Sequence, residues 1–270
     1  MREDSDSRCR KLRFRREIAA ARHVVRSLDL QTVVVLISAA VVVILQMKFG
    51  SRGFFRTEVA AAMNIESPGL PSWAWWFVAQ GFLGFVLPVL LLRYGFKQKP
   101  IDMGLGLGDW RFAGFVALLY LPIVLIGTWI LSGGSEFQAI YPHYAPASVD
   151  WGIFAVYELL FVFYWIGWEY LWRGFVLFGT ARVFGVYAIF VQALPFAILH
   201  FEKPAPEALL SIVGGVALGA LVWRARSFWI AVPIHAVQML SLDFFCSLRI
   251  RSGVTGFGPG SFIEMFQRAF

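Results

Sequence analysis

Four ionisable side chains lie inside long apolar stretches of this 270-residue sequence. Glu169 and Arg173 belong to the segment YWIGWEYLWRGF, His200 ends FAILH, and His235 lies in PIHAV. An ionisable group at membrane depth costs a few kcal/mol or more, so such groups are rare and typical of functional sites. One glutamate and two histidines on three separate spans are the residue types needed to activate a water molecule.

Glu169 and Arg173 are four residues apart, which places them on one face of a helix. A buried carboxylate is protonated or paired, so the pair is either a structural ion pair or a guanidinium that orients a catalytic acid. A histidine in a span is likewise often only an interhelical hydrogen bonder. At 1.5 Å per residue, Glu169 lies roughly 20 Å, His200 roughly 21 Å and His235 roughly 14 Å from the cytoplasmic ends of their spans. We therefore expect that all three can meet within the bilayer.

The composition predicts a membrane protein. Hydrophobic residues make up 59% of the chain and charged residues 15%, whereas soluble domains contain about 25% charged residues. The apolar blocks are about 18 residues or longer, enough to cross roughly 30 Å of hydrocarbon as helices, and they lack the alternation of barrel strands. We predict an all-α polytopic membrane helix bundle with about seven transmembrane helices. The two cysteines, Cys9 and Cys246, form neither a disulfide framework nor a cysteine zinc site.

Basic residues predict the topology. Residues 1–27 form a basic arm, which we expect in the cytoplasm against anionic lipid headgroups rather than nucleic acid. The arm is followed by a single transmembrane domain over residues 28–250 and a tail over residues 251–270. The loop 93–111 carries four Lys or Arg and is predicted to be cytoplasmic, whereas 132–150 carries none and is predicted to lie outside. The predicted spans are about 30–47, 73–92, 112–131, 151–178, 186–200, 208–223 and 228–248.

The polar sites resemble the motifs of the CAAX protease and bacteriocin-processing (CPBP/Abi) family of intramembrane proteases, which includes the type II CAAX prenyl endopeptidases. The family pattern is Glu-Glu-x-x-x-Arg, then Phe-x-x-x-His, then His-x-x-x-Asn or Asp. The corresponding segments here, in the same order, are Trp168-Glu169-x-x-x-Arg173, Phe196-x-x-x-His200 and His235-x-x-x-Met239. The resemblance covers about residues 150–250, which we interpret as a protease-like core. The Trp-Glu form of the first motif resembles a divergent bacterial branch, which implies a bacterial inner (plasma) membrane.

The resemblance implies an endopeptidase that hydrolyses a peptide bond of a membrane-anchored or lipidated protein. Glu169 would take a proton from water, and Arg173 would orient Glu169. His200 and His235 would orient that water, stabilise the oxyanion, or bind a divalent ion. Together with Glu169 they match a zinc ligand set, so the cofactor stays open between none and one divalent ion such as zinc.

Two positions depart from the family pattern. Trp168 replaces the first glutamate, which is usually assigned as the general base, and Met239 replaces the amide or acid thought to assist at the oxyanion. We expect Glu169 to serve as the base. Other candidates for the missing groups are Glu158, about 16 Å away along the same helix face, and Asp243 or Gln238.

These departures support an alternative from another class, a catalytically inactive relative that acts as a membrane scaffold or partner protein. A third hypothesis is a small transporter whose Glu, Arg and His residues line a pathway. The sequence shows neither an internal repeat nor a pair of interrupted helices, which disfavours the transporter.

Overall fold

The computed structural model describes the backbone of residues 2–270 and the side chains of residues 13–270. The described chain is helical without strands, which confirms the predicted fold class. The helices are α1 Arg2–Ser27, α2 Leu30–Lys48, α3 52–62, α4 Gly69–Gly95, α5 Trp110–Leu131, α6 Ser135–Ile140, α7 Ala145–Val149, α8 151–184 with its last part Leu177–Phe184 labelled α9, α10 Ala188–Ile198, α11 Ala205–Ala225, α12 Ala231–Ser252 and α13 Pro259–Ala269.

The long helix α8 has three parts. It is α-helical over Trp151–Glu169, π-helical over Tyr170–Val176 and α-helical again over Leu177–Phe184, the last part being α9. The next span, α10, is Ala188–Ile198. The helix that contains the predicted span 151–178 therefore continues beyond it, to Phe184.

Six stretches of the described chain are long and apolar enough to cross a membrane. One of them, Trp151–Ile198, contains 48 residues and would extend about 72 Å as a straight helix, more than twice the hydrocarbon thickness. Gly185 interrupts it with φ +54°, a left-handed backbone conformation that glycine adopts without steric cost. This stretch therefore supplies two passes, in agreement with about seven spans.

Aspartate side chains cap the N-termini of three of the spans. Asp29 accepts a hydrogen bond from the Thr32 backbone N–H (2.8 Å), and Asp150 accepts one from Ile153 (2.8 Å). Asp109 does the same at the start of α5. These caps satisfy backbone donors that have no partner within the helix, and they fix where each span begins.

Helix α8 lies at the centre of the bundle, packed against α4, α10 and α12. The contact with α4 is close because glycines meet there. A Cβ on Gly84 would lie 2.5 Å from the Gly167 carbonyl oxygen, and a Cβ on Gly167 would collide with the Gln80 carbonyl. These glycines let the two backbones touch, as small residues do between membrane helices.

The tail, which the sequence did not place, folds back onto α12 and α5. Buried Arg249 donates hydrogen bonds to Ser132 Oγ (2.9 Å) and to the carbonyl oxygens of Val254 and Gly256. Its guanidinium also lies 4.4 Å from the centre of the Trp129 ring. This arginine fixes the path of the chain between α12 and α13.

Candidate active site

Glu169 joins two of the predicted site residues. Its Oε1 accepts a hydrogen bond from Arg173 Nη1 at 3.1 Å and lies 2.6 Å from Nδ1 of His235. Glu169 and Arg173 are 0% exposed, and His235 is 8% exposed. The structure therefore links α8 to α12 through a carboxylate shared by a guanidinium and an imidazole.

Arg173 contacts the second motif as well. Its guanidinium carbon lies 3.9 Å from the centre of the Phe196 ring, a cation–π contact between α8 and α10. Nε and Nη2 of Arg173 have no hydrogen-bond partner among the described residues, and neither has Oε2 of Glu169. Within the described part of the chain, the charge of Arg173 is thus compensated by Glu169 and by the aromatic face.

The π-helical turn brings this pair into position. Its i→i+5 pattern widens the helix directly after Glu169, and such turns are frequent at functional sites. Gly174 is required there because a Cβ at this position would collide with the Tyr170 ring. Sequence spacing predicted the shared helix face of Glu169 and Arg173 but not the widened turn.

His200 lies in the turn that follows α10, near His235. Nδ1 of His200 is 2.8 Å from the Phe196 carbonyl oxygen, and the Phe196 ring contacts both imidazoles, with centroid distances of 4.6 Å to His200 and 6.1 Å to His235. Burial, with a smaller effect from His235, lowers the pKa of His200 to about 4. The imidazole is therefore neutral at physiological pH.

A cavity of about 650 Å³ runs along both histidines. Its deep wall, which includes residues of α8 and α12, consists of Phe161, Tyr164, Trp165, Trp168, His235 and Met239. Glu169 does not line this cavity, because its carboxylate lies behind His235. The group that faces the cavity is thus an imidazole whose far nitrogen bonds to a buried carboxylate.

The two departures from the family pattern both lie on the cavity wall. Trp168 contacts the rings of Phe196 and His200, with centroid distances of 5.8 Å and 6.2 Å. Met239 lines the wall on α12. Both positions therefore face the cavity, but neither carries the acid or amide of the family pattern: Trp168 offers only an indole N–H donor and Met239 only a weakly accepting thioether.

The other candidates for the missing groups do not line the cavity. Gln238 accepts a hydrogen bond from Tyr120 of α5 at 3.3 Å, on another side of α12. Asp243 is fully buried, and its carboxyl group lies against that of Glu158. Glu158 is likewise absent from the wall.

The sequence analysis missed the cavity mouth, which is mostly polar and which we define as Ser51, Arg52, Gly53, Ile140, His143, Glu202, Lys203 and Glu207. Lys203 donates to Tyr141 Oη at 2.6 Å and to His143 Nε2 at 3.0 Å, and Tyr141 donates to Glu207 at 2.6 Å. Burial lowers the pKa of Lys203. Burial also lowers the pKa of His143, to well below its usual value. This network ties the loop 132–150 to the turn after His200.

Arg52 is the other cation of the mouth. Its guanidinium lies 3.6 Å from the centre of the Trp73 ring, which itself stacks on His143. With Glu202 and Glu207 nearby, the two cations Arg52 and Lys203 are balanced by two acids. The only sequence signal for this region was the run of charged and proline residues after His200.

Among the residues whose side chains are described, no group of three or more His, Cys, Asp or Glu is placed to hold a metal ion. Glu169 Oε1 and His235 Nδ1 are directed at each other, and His200 Nδ1 is directed at a backbone carbonyl. The three predicted ligands do not converge on one centre in this arrangement. Their role as metal ligands stays a prediction.

Comparisons with known proteins point to one family. Searches of curated proteins and of solved structures return no match. A family model described as "Type II CAAX prenyl endopeptidase Rce1-like" matches residues 150–240, about a third of the chain. This segment contains Glu169, Arg173, His200 and His235. Over residues 150–240 the chain is similar to the type II CAAX prenyl endopeptidase Rce1-like family.

Proposed function

We propose that this protein is an intramembrane endopeptidase in which His235, oriented by Glu169, is the general base. The observation that carries the proposal is the 2.6 Å contact between His235 Nδ1 and Glu169 Oε1, together with the place of His235 on the cavity wall. A carboxylate that accepts from Nδ1–H fixes the tautomer and leaves Nε2 free to take a proton. This differs from our expectation that Glu169 contacts water directly.

In this mechanism His235 Nε2 removes a proton from a water molecule as the oxygen attacks the carbonyl carbon of the scissile peptide. The imidazolium that forms is stabilised by Glu169. It then gives the proton to the leaving nitrogen, so the peptide C–N bond breaks and neutral His235 is restored. Arg173 holds Glu169 in place through the 3.1 Å ion pair.

His200 orients the same water molecule. The Phe196 carbonyl oxygen can only accept a hydrogen bond, so Nδ1 of His200 carries the proton and Nε2 is an acceptor in the neutral ring. Because the pKa of about 4 keeps this ring neutral, His200 accepts a hydrogen bond from the attacking water rather than donating one to an oxyanion. Of the roles suggested by the resemblance, orientation of water suits it best.

The cavity favours an apolar substrate segment. Its deep wall is aromatic, and the charges at its mouth balance. Aromatic walls bind apolar side chains or a lipid chain, and the cavity volume falls in the usual range for a bound ligand. We infer a membrane-anchored or lipidated protein as the substrate.

The test compares cells that express the wild type, His235→Gln or His23→Gln, the last being the same substitution on the exposed α1. New protein N-termini in the membrane fraction are quantified by mass spectrometry. We expect termini that depend on the wild type and on His23→Gln but vanish with His235→Gln. Unchanged termini with His235→Gln, at equal protein levels, would overturn the proposal.

The alternative of an inactive relative gives a different pattern in the same experiment. No terminus would depend on the protein at all, although deleting it would still alter a partner protein. Trp168→Glu, which restores the acid of the family motif, would then leave the phenotype unchanged. Loss of an existing cleavage with this variant would exclude the scaffold.

A further inference from the structure

The two ends of the helix bundle are defined by contacts between its loops. At the end where α2 begins, Arg182 forms an ion pair with Asp29 at 2.7 Å. The backbone N–H of Asp109 donates to the Ala225 carbonyl at 2.8 Å. Arg226, which follows α11, lies 4.9 Å from the centre of the Phe178 ring of α9 and joins the two pairs. The loops before α2, before α5, after α9 and after α11 therefore share one end, which we call the N-terminal end.

The cavity mouth lies at the opposite end. Trp75 of α4 donates to the Phe49 carbonyl, at the end of α2. Lys203, after α10, bonds to His143 in the loop after α5. Every element that contributes to the mouth reaches it at the end far from the basic arm.

Basic residues are unequally divided between these ends. Of the 24 Lys and Arg residues, sixteen lie in the arm and in the loops of the N-terminal end, seven lie at the mouth end, and Arg173 lies between. Three of the seven are held within the protein: Arg52 on Trp73, Lys203 in its network, and buried Arg249. The positive-inside rule therefore places the N-terminal end in the cytoplasm.

We propose that the cavity opens on the non-cytoplasmic face of the membrane and takes its substrate from that side. The rim includes Met47 of α2, which is 61% exposed, so an apolar segment in the outer half of the bilayer can contact it. The partner is thus an exported membrane protein with an apolar anchor. The identity of this partner as a substrate rests on the proposed function, whereas the side of the opening does not.

Cysteine labelling tests the side of the opening without an activity assay. In a full-length Cys9→Ser background, the remaining Cys246 is buried. Glu202→Cys and Gly53→Cys each place a thiol at an exposed mouth position, and Asp102→Cys places one at an exposed position of the N-terminal end. Spheroplasts are treated with a membrane-impermeant maleimide, before and after permeabilisation.

We expect Glu202→Cys and Gly53→Cys to be labelled in intact spheroplasts. Asp102→Cys should be labelled only after the membrane has been permeabilised. The reverse pattern, or equal labelling of both ends, would overturn the proposal. Two mouth positions are used so that poor folding of one variant does not decide the result. If the mouth is labelled from outside while His235→Gln retains cleavage, the proposed function fails and the side of the opening stands.

Discussion

At the scale of single residues, Glu169 and His235 act as one unit. The carboxylate is fully buried behind the imidazole, so its contribution to catalysis passes through His235. This makes Glu169 a positioning residue in the proposed reaction and His235 the catalytic one. The predictions at this scale separate the two roles and test the charge balance around them.

Glu169→Gln is expected to lower kcat by about 10²–10⁴ with little change in KM, because the amide cannot fix the Nδ1–H tautomer of His235. The measurement is cleavage kinetics on a substrate found by the N-terminal comparison. Glu136→Gln is the control, since Glu136 is exposed in the loop 132–150. Unchanged kcat in Glu169→Gln would contradict the assignment.

Arg173→Met is expected to destabilise the protein by about 3–5 kcal/mol, because it leaves the buried Glu169 carboxylate without a cation. Arg173→Lys keeps the charge but not the planar contact with Phe196, so it should destabilise the protein less than Arg173→Met does. Thermal unfolding in detergent measures both. Equal stability of the two variants would mean that the charge of Arg173 does not matter.

His200 predicts a dependence of stability on pH. Burial lowers its folded-state pKa from 6.5 to about 4, so between these values the unfolded chain binds more protons. Stability contributed by neutral His200 is therefore present above pH 6.5, falls as the pH decreases, and levels off below about pH 4. The unfolding midpoint of wild type should fall relative to His200→Gln across this window. A constant difference between the two proteins would contradict the prediction.

At the scale of elements, the contact between α4 and α8 sets the position of the site. Gly167 touches the α4 backbone only two residues before Glu169. Gly167→Ala should force the helices apart, cost about 1–3 kcal/mol and reduce activity by displacing Glu169. Unfolding and cleavage are measured together.

Gly114→Ala on α5 is the matched control, because a Cβ there meets no other atom within 4 Å. Replacing a helical glycine by alanine where there is room should stabilise the helix by roughly 0.5–1 kcal/mol. Similar effects of the two substitutions would show that helix propensity, rather than the close contact, decides the outcome.

At the scale of the whole molecule, the proposed reaction uses the Glu169–His235 contact and needs no added ion. Cleavage by the purified protein is therefore expected to survive treatment with a metal chelator. Elemental analysis of the same preparation provides the check. About one zinc per chain, absent from the Glu169→Gln, His200→Ala and His235→Ala variants, would support the predicted metal site instead.

Much of the molecule follows from the sequence. The lengths of the apolar blocks determine the helical spans because an unpaired backbone is costly in hydrocarbon. The four-residue spacing of Glu169 and Arg173 determines their ion pair, since it depends only on the geometry of one helix. The motif order likewise identified the segment that the family comparison matches.

Tertiary structure decided which of these groups faces the cavity. His235 and Glu169 are 66 residues apart, and the mouth network joins residues 60 to 66 apart in sequence. Such contacts depend on how each helix is rotated against its neighbours, and that rotation is set by close contacts such as the one at Gly167. The period of a single helix carries no information about it. The sequence by itself therefore determined the chemical groups and their spans, and the packing determined that an imidazole rather than a carboxylate reaches the cavity.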